Sequence, residues 1–253
     1  MKFEIATEKD LNAIKILLEK NNLPISDISK NSAIDFIIAR NNKRIIGCIA
    51  IEKYGTDGFL RSLAVDLDFR NKGYGNQLYN RLLSYAVQNE IKIMHLLTTT
   101  AEKYFLKKGF KKFNRNEAPE IIQKTVEFSE LCPSSSVYMI LENVSEHAAY
   151  YDGNLQLNHV DDQTKSKYWT VKGEKMMFTH FVVPPDSVFE KHSHHSEQIT
   201  YILDGELFFE IHDQVFHLKK GDSIVVPSNA EHKVWTQIGA VAVDSWTPLN
   251  EKY

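Results

Sequence analysis

The segment Arg70-Asn-Lys-Gly-Tyr-Gly75 has the residue types of an anion-binding turn. It follows the apolar run Phe59–Val65 and precedes residues 76–87, where apolar residues recur at helical spacing. A strand that turns through glycines into a helix leaves free backbone N–H groups at the helix start, where the helix dipole adds partial positive charge. Glycine also lets the backbone come close to an anion. The spacing lacks the Gly-Lys-Ser/Thr of a Walker loop and the third glycine of a dinucleotide fingerprint.

A second set of side chains has metal-ligand character: His192, His194, Gln198 and, further along the chain, His232. Residues 192, 194 and 198 share parity, so on an extended chain they face the same side. Three imidazoles and an amide oxygen suit a divalent transition metal, with zinc, nickel, iron and manganese all open. The alternative is that these histidines bind metal weakly or serve only structure. His195 has the opposite parity, so we leave it out of the site.

The elements around the glycine turn alternate between strands and helices. Strands are predicted at Lys2–Ala6, Ala33–Arg40 and Arg44–Glu52. Thr7 begins a helix with an acidic residue, Asp10, at the third helical position.

The elements around the histidines are all strands. Turn residues separate the runs, with Asp204-Gly205 dividing the second from the third. This pattern predicts a small barrel or jelly roll. The predicted strands are Met176–Val183, Gln198–Leu203, Glu206–Ile211 and Ser223–Pro227.

Composition divides the 253 residues into two domains. Residues 1–143 carry 21 Lys+Arg against 17 Asp+Glu, a balance of +4, whereas residues 144–253 carry 9 against 16, a balance of −7. We therefore predict a domain at 1–142, a linker at 143–150 and a second domain at 151–253. No dense basic patch argues for nucleic acid, and no apolar run is long enough to cross a membrane. With two isolated cysteines and no signal peptide, we expect a cytoplasmic protein.

Three stretches of the first half carry a resemblance: Leu63-Ala-Val65, the turn Arg70–Gly75, and Phe105-Leu-Lys-Lys-Gly-Phe110. Together they resemble the core of a GNAT N-acetyltransferase. The resemblance implies an α/β GNAT fold, a mixed twisted sheet flanked by helices, with acetyl-CoA as cofactor. In that family the turn holds the pyrophosphate, and the preceding strand splays from its neighbour and pairs with the pantetheine arm. The residues so implied in cofactor binding are Leu63, Ala64, Val65, Arg70, Asn71, Lys72, Gly73, Tyr74 and Gly75.

The groups for the chemical step are less evident. A backbone N–H of Leu63 or Val65 would polarise the thioester carbonyl. Many members of the family protonate the leaving thiolate with a tyrosine, and that position here is Phe105. Tyr104 is adjacent but turned away on a helix, so water and a side chain both stay open as the proton donor. No glutamate stands in Phe59–Val65, which leaves a water relay as the expected base.

Two side chains near the expected acyl site are candidates for substrate contact. Arg61 would clamp a substrate carboxylate if it faces the cleft, the alternative being an arginine on a solvated rim. Thr98, at the end of the strand 92–97, would line the cleft with its hydroxyl, the alternative in this threonine run being a plain helix cap.

The second half resembles the cupin superfamily. Gln198 and Gly205 have the spacing of the first cupin motif, and Gly221–His232 matches the second. The resemblance implies an all-β cupin in which His192, His194, Gln198 and His232 hold the metal. Gln198 fills a slot usually held by glutamate, so the protein offsets none of the metal charge and the site should favour an anionic ligand. Gln198 together with Asp244–Pro248 resembles a branch that includes pectin-degradation proteins acting on unsaturated uronates.

The first half most resembles the GNATs found in arsenic-resistance operons, through residues 60–65, 97–101 and 118–133. We therefore expect an N-acetyltransferase acting on a small amino-acid-like amine, with a link to arsenic detoxification, fused to a metal-binding cupin. Cupins commonly pair through their sheets, so a homodimer is expected. The alternatives are a non-catalytic sensor in which CoA is a structural ligand, and a cupin metalloenzyme acting on a small carboxylate or sugar.

Overall fold

The computed structural model describes residues 1–30, 32–148, 150–151 and 159–253. The chain divides into two compact units, Met1–Gln156 and Leu157–Tyr253. The predicted linker at 143–150 includes a short helix, Val144–His147, that belongs to the first unit and buries Val144. Residues 149 and 152–158, at the end of that linker and the start of the predicted second domain, lie outside the described residues. No helix in the described ranges is long and apolar enough to span a membrane.

The first unit alternates strands and helices. Its first helical turn begins after Thr7, whose N–H donates to Asp10 Oδ2 at 2.9 Å. Its strands are β1 (Lys2–Ile5), β2 (Ile34–Asn41), β3 (Arg44–Tyr54), β4 (Asp57–Val65), β5 (Ile93–Thr98), β6 (Lys111–Phe113) and β7 (Val137–Leu141). Its helices are α1 (Leu11–Lys20), α2 (Tyr74–Gln88), α3 (Glu102–Leu106), α4 (Glu120–Gln123) and α5 (Val144–His147).

These strands form one mixed sheet in the order β1-β2-β3-β4-β5-β7-β6, in which only the β4–β5 pair is parallel among the described strands. Helix α1 packs its apolar stripe, including Ile14 and Leu18, on one face of the sheet. Leu78 of α2 lies against Gly47 on the other face. Burial of both faces explains why the central strands are continuous apolar runs.

The second unit consists of antiparallel strands. They are β8 (His159–Val160), β9 (Lys167–Lys172), β10 (Met177–Val183), β11 (Val188–His192), β12 (Glu197–Ile211), β13 (Gln214–Lys219), β14 (Ser223–Val226), β15 (His232–Trp235) and β16 (Ala240–Thr247). The first half of β12 pairs with β14 and β16, and its second half pairs with β13 and β15. One long strand therefore joins two curled sheets around a shared apolar core.

The sequence prediction of a turn at Asp204-Gly205 is wrong. The strand continues through this point with a bulge, and Gly205 takes a φ of +72°. A Cβ at Gly205 would lie 2.2 Å from the carbonyl oxygen of Gly239. A glycine can mark either a turn or a bulge where two backbones come close, and Gly205 belongs to the second kind.

Candidate functional site

The parallel strands β4 and β5 of the first unit pair over only three residues and then separate. Pairing runs from Asp57 opposite Ile93 to Phe59 opposite His95 and then stops, although both strands continue. Just beyond this point β4 carries a bulge opposite Ile49, with Ser62 at a φ of +56°. The bulge bends β4 away from β5 and leaves backbone groups of both strands facing a gap.

The glycine turn lies at the open end of this gap. Gly73 takes a φ of +80° immediately before α2, and a Cβ at Gly73 would meet nothing within 4 Å. Its carbonyl accepts the first helical hydrogen bond, from the N–H of Gln77, so the amides of residues 74–76 lack helical partners. The helix start therefore offers N–H donors and partial positive charge to an anion.

Two basic side chains of the turn are held beside it. Arg70 donates from Nε to the carbonyl of Val65 at 3.2 Å, and Lys72 donates to the carbonyl of Asp68 at 2.8 Å. The residues predicted to contact the cofactor occupy the end of β4 and the approach to α2: Leu63, Ala64, Val65, Arg70, Asn71, Lys72, Gly73, Tyr74 and Gly75. The fold thus brings them to one edge of the gap.

Arg61 does not present a free guanidinium. Its side chain is 1% exposed and forms ion pairs with Asp27, Glu52 and Glu127. Asp27 binds it through both carboxylate oxygens, and Glu52 accepts from it at 2.6 Å. In this structure, protein carboxylates occupy the guanidinium that was expected to bind a substrate carboxylate. Because the side chain is buried, Arg61 is not a solvated rim arginine either.

This acidic cluster around Arg61 (Asp27, Glu52 and Glu127) was not found from the sequence. Its members come from the segment after α1, from β3 and from a π-helical turn at Glu127–Leu131, so only the fold unites them. Burial, with the two neighbouring carboxylates, raises the pKa of Glu127 to about 7, although Arg61 opposes the shift. A carboxyl with such a pKa is a candidate base near neutral pH.

The hydroxyl of Thr98 is hydrogen-bonded within the turn between β5 and α3. Its Oγ1 accepts a hydrogen bond from the N–H of Ala101 at 2.9 Å, just before α3. Phe105 is buried, and the neighbouring Tyr104 donates its hydroxyl to Asn76 Oδ1 at 3.0 Å. The N-cap of α3 is Ala101, without a side-chain cap, so none of the three threonines caps this helix, and Thr98 uses its hydroxyl within the preceding turn.

The second unit brings its predicted ligands together. His192 ends β11, His194 lies in the following loop and His232 begins β15, and their candidate ligand atoms lie within 4.8 Å of one another. Alternation along one strand does not bring them together, because β11 ends at His192 and the next strand begins only at Glu197. The pairing of His192 opposite His232 across β11 and β15 does so instead.

Each of the three imidazoles is oriented by a backbone carbonyl. Nδ1 of His192, His194 and His232 lies 2.7, 2.7 and 2.9 Å from the carbonyls of residues 190, 196 and 230. A carbonyl only accepts, so Nδ1 carries the proton and Nε2 keeps its lone pair. Burial lowers the pKa of His232 to about 4 and also lowers that of His192, so both rings are neutral at pH 7. Neutral imidazole is the form that binds a metal.

The amide of Gln198 is held in a chain of hydrogen bonds. Its Nε2 donates to Thr200 Oγ1 at 2.9 Å, and Thr200 donates to the buried Asp244 at 2.6 Å. Burial raises the pKa of Asp244 to about 7, although the hydrogen bonds from Thr200 and Gln198 oppose this shift. When Asp244 is ionised, this chain turns the amide oxygen of Gln198 to within 3.0 Å of His194 Nε2. Two acceptors then face each other, an arrangement that a cation would satisfy, so the donor set fits a divalent metal.

A cavity of about 420 Å³, including the open space at its mouth, adjoins these ligands. Its polar lining includes His192, Gln198, His232 and Asp244. Its other walls are mostly apolar, and none of the described residues that line it is a lysine or arginine. The apolar lining includes Phe181, Val183, Phe189, Leu207, Phe209 and Trp246.

Comparison with known proteins finds one domain family in each unit. Residues 32–112 match the family model for the acetyltransferase (GNAT) domain, and residues 179–242 match that for the cupin domain. The chain thus carries a GNAT acetyltransferase domain followed by a cupin domain, and the fold class predicted from the sequence is confirmed.

Individual relatives match only parts of the chain. It is 32% identical over 89 residues to the uncharacterised N-acetyltransferase CT2212 of Chlorobaculum tepidum, covering 35% of this chain and 57% of that protein. It is 37% identical over 75 residues to acireductone dioxygenase of Tuber melanosporum, covering 24% of this chain and 43% of that protein. N-acetylglutamate synthase of Neisseria gonorrhoeae, solved with coenzyme A and N-acetyl-glutamate, is 21% identical with a TM-score of 0.48 over 56% of this chain and 35% of that one. The chain spans about half the length of the curated relatives it matches.

Proposed function

We propose that the protein is an acetyl-CoA-dependent N-acetyltransferase that acts on the amine of a small amino-acid-like substrate. The observation that carries this proposal is the glycine turn at the start of α2, placed at the open end of the gap between β4 and β5. Such a gap offers strand backbone to an extended pantetheine arm, and the helix start offers amides to the pyrophosphate. The amino-acid-like acceptor, the link to arsenic resistance and the cytoplasmic location rest on the sequence alone.

The acceptor would approach the face of the sheet that carries Arg61. This residue lies two positions after Phe59, the last residue of β4 paired with β5, and on the same face as Phe59. The three carboxylates around Arg61 outnumber its single positive charge, which favours a cationic amine over an anionic acceptor. Glu127, with its raised pKa, would accept the proton that the ammonium must lose before attack.

Binding and turnover test this proposal separately. We expect one-to-one binding of acetyl-CoA to the full chain by calorimetry, and release of free thiol when amines are added. The amine panel begins with amino acids and their phosphorus and arsenic analogues. Binding of CoA without thiol release from any amine would favour a non-catalytic sensor, and absence of binding would exclude the acetyl-transfer reaction.

We further propose that the cupin domain binds a divalent transition metal through His192, His194, Gln198 and His232. The three lone pairs fixed by carbonyl contacts support this assignment. The metal would supply a Lewis acid beside the cavity, favouring a second activity on a small oxygen-bearing ligand. Absorption spectra of the protein titrated with cobalt(II) test metal binding, and tetrahedral or five-coordinate bands are expected at one equivalent.

A homodimer through the cupin domain is also proposed. Four apolar side chains of one sheet are 45–52% exposed: Ile199 and Tyr201 of β12, Val225 of the neighbouring β14, and Val182 of β10, which β16 separates from β12. Their burial against a second copy would remove apolar surface from water. Sedimentation should give twice the mass of 29.2 kDa. Tyr201→Glu should shift that value toward the monomer, and a monomeric wild type would refute the proposal.

A further inference from the structure

The cavity of the second unit lies within its apolar core. Phe209 and Leu207 of β12, Val183 of β10 and Val234 of β15 line it, and each is at most 7% exposed. These strands come from both curled sheets, so apolar side chains face the cavity from two sides. Its volume of about 420 Å³, mouth included, is near the lower end of the roughly 300–1,000 Å³ of ligand pockets. The cavity therefore suits a small ligand with an apolar body.

The charged groups around the cavity restrict the charge of its ligand. No lysine or arginine is among the described residues that line it, and the carboxylate among them, Asp244, accepts a hydrogen bond from Thr200 at 2.6 Å. Lys252 is next to the lining residue Tyr253 in the chain, but it is 53% exposed and its Nζ lies 3.6 Å from Asp161 Oδ2. Within the cavity, a negative charge on a ligand is therefore balanced only by a metal at the three histidines.

One negative charge fits this arrangement, and a second does not. Because the three imidazoles and the Gln198 amide are neutral donors, a divalent metal keeps its full charge and favours an anionic oxygen ligand. A second carboxylate would lie against Phe209 and Leu207 without a counter-charge, which is costly in an apolar site. The hydroxyl groups of a sugar would lose their hydrogen bonds to water against the same walls, where Trp246 and Tyr253 carry one polar side-chain atom each.

We propose that the cupin domain binds a small monocarboxylate with an apolar body, an inference that rests on the proposed metal site. The carboxylate lies at the three histidines, and the body occupies the apolar part of the cavity, which Phe209, Leu207 and Val183 line. The sequence left two ligand classes open for this domain, a small carboxylate and a sugar. The composition of the walls favours the carboxylate.

Calorimetry on the full chain loaded with one equivalent of cobalt(II) tests the ligand class with four compounds. Pyruvate, 4-methyl-2-oxopentanoate and 2-oxoglutarate share a 2-oxo acid head but carry a minimal, an apolar and a charged body, and D-galacturonate represents the sugar acids. We expect 4-methyl-2-oxopentanoate to bind roughly ten- to 60-fold more tightly than pyruvate, because its three additional carbons leave water. The other two compounds should bind at least roughly tenfold more weakly than 4-methyl-2-oxopentanoate.

Ala242→Val tests whether the apolar body occupies the cavity. Ala242 lines it and is 1% exposed, so two added methyl groups would take up space there. The preference for 4-methyl-2-oxopentanoate over pyruvate should fall by roughly fourfold or more, which corresponds to one methylene kept out of the cavity. Ala240→Val is the matched control: Ala240 lies on the same strand and is 6% exposed, but it is not among the described lining residues, so the preference should not change. Both variants should keep the cobalt(II) spectrum of wild type.

The metal site and the ligand class can fail separately. Equal affinities for pyruvate and 4-methyl-2-oxopentanoate, or tighter binding of 2-oxoglutarate or D-galacturonate, would overturn the ligand class and leave the metal site in place. The same holds if the cobalt(II) protein binds none of the four compounds, or if Ala242→Val leaves the preference unchanged. If the protein takes up no cobalt(II), the proposed metal site falls, and the ligand class falls with it.

Discussion

Replacing Arg61 with methionine should destabilise the first unit strongly. The guanidinium contacts Asp27, Glu52 and Glu127, whose side chains are only 9–13% exposed. Methionine fills a similar volume but leaves these carboxylates buried without a cation. Loss of one partner from a buried ion pair costs about 3–5 kcal/mol, so we expect a loss of that size in the free energy of unfolding at pH 8.

The loss should depend on pH in a defined direction. Burial already raises the pKa of Glu127 from 4.5 to about 7, and Arg61 opposes this shift. Without Arg61 the folded-state pKa rises further above the unfolded value. The folded state then binds more protons, so its stability is retained at low pH and lost as pH rises through the folded pKa. The difference between Arg61→Met and wild type should therefore be smaller at pH 5 than at pH 8, by at least about 1 kcal/mol.

Urea unfolding can measure this loss in the full chain, because two probes separate the units. The α-helices of the described residues all lie in the first unit, whereas the three tryptophans, Trp169, Trp235 and Trp246, lie in the second. Only the transition seen by circular dichroism at 222 nm should shift, while the tryptophan fluorescence transition should stay. A loss below about 1 kcal/mol, or one equal at both pH values, would refute the reasoning.

Arg44→Met is the control, because this arginine is 55% exposed, although its partner Asp66 is only 10% exposed. Water can replace the exposed guanidinium, and Asp66 keeps the hydrogen bond from the N–H of Asp68, so the loss should be smaller than in Arg61→Met. Although burial acts in the opposite direction, the hydrogen bonds from Arg44 and from the backbone of Asp68 lower the pKa of Asp66. Stability from this pair is present above the unfolded pKa and is lost as pH falls. The loss in the control therefore has the same sign of pH dependence as that in Arg61→Met, but it changes near the unfolded pKa of Asp66 and should vary little between pH 5 and pH 8.

Gly73→Glu should abolish acetyl-CoA binding in calorimetry, since it places a carboxylate at the anion site and a side chain at a φ of +80°; unchanged affinity would remove the turn from that site. The double change of His192 and His232 to alanine should eliminate metal from the protein, measured by elemental analysis, with acetyl-CoA binding retained. Loss of both would mean that the two domains share one site. Thr200→Val should weaken metal binding by roughly 10- to 100-fold in a competition titration, because Gln198 loses the partner that orients its amide; equal affinity would show that the orientation is not needed.

The sequence was most informative where a site is built from neighbouring residues. The glycine turn and the strand before it are continuous in the chain, so their spacing alone predicted that they meet. His192 and His194 are two residues apart, and the cupin motif carried His232 with them. Local spacing of this kind survives into the fold with little change.

Features that depend on distant contacts were missed. Arg61 reads in the sequence as a polar residue within an apolar strand, and its partners Asp27 and Glu127 are 34 and 66 residues away in opposite directions. No periodicity or motif marks such a cluster. Gly205 was misread for a related reason, since a bulge that approaches another strand and a turn both select glycine, and only the position of Gly239 distinguishes them.

The shared strand β12 has a consequence for how the cupin domain is made on the ribosome. β12 is complete at Ile211, but the two strands that pair along its first half, β14 and β16, begin only at Ser223 and Ala240. Until those later residues emerge, β12 exposes an unpaired edge that carries apolar side chains. Nascent chains can associate with one another through such an edge. Synthesis rate and chaperone supply over this stretch should therefore affect the yield of folded protein.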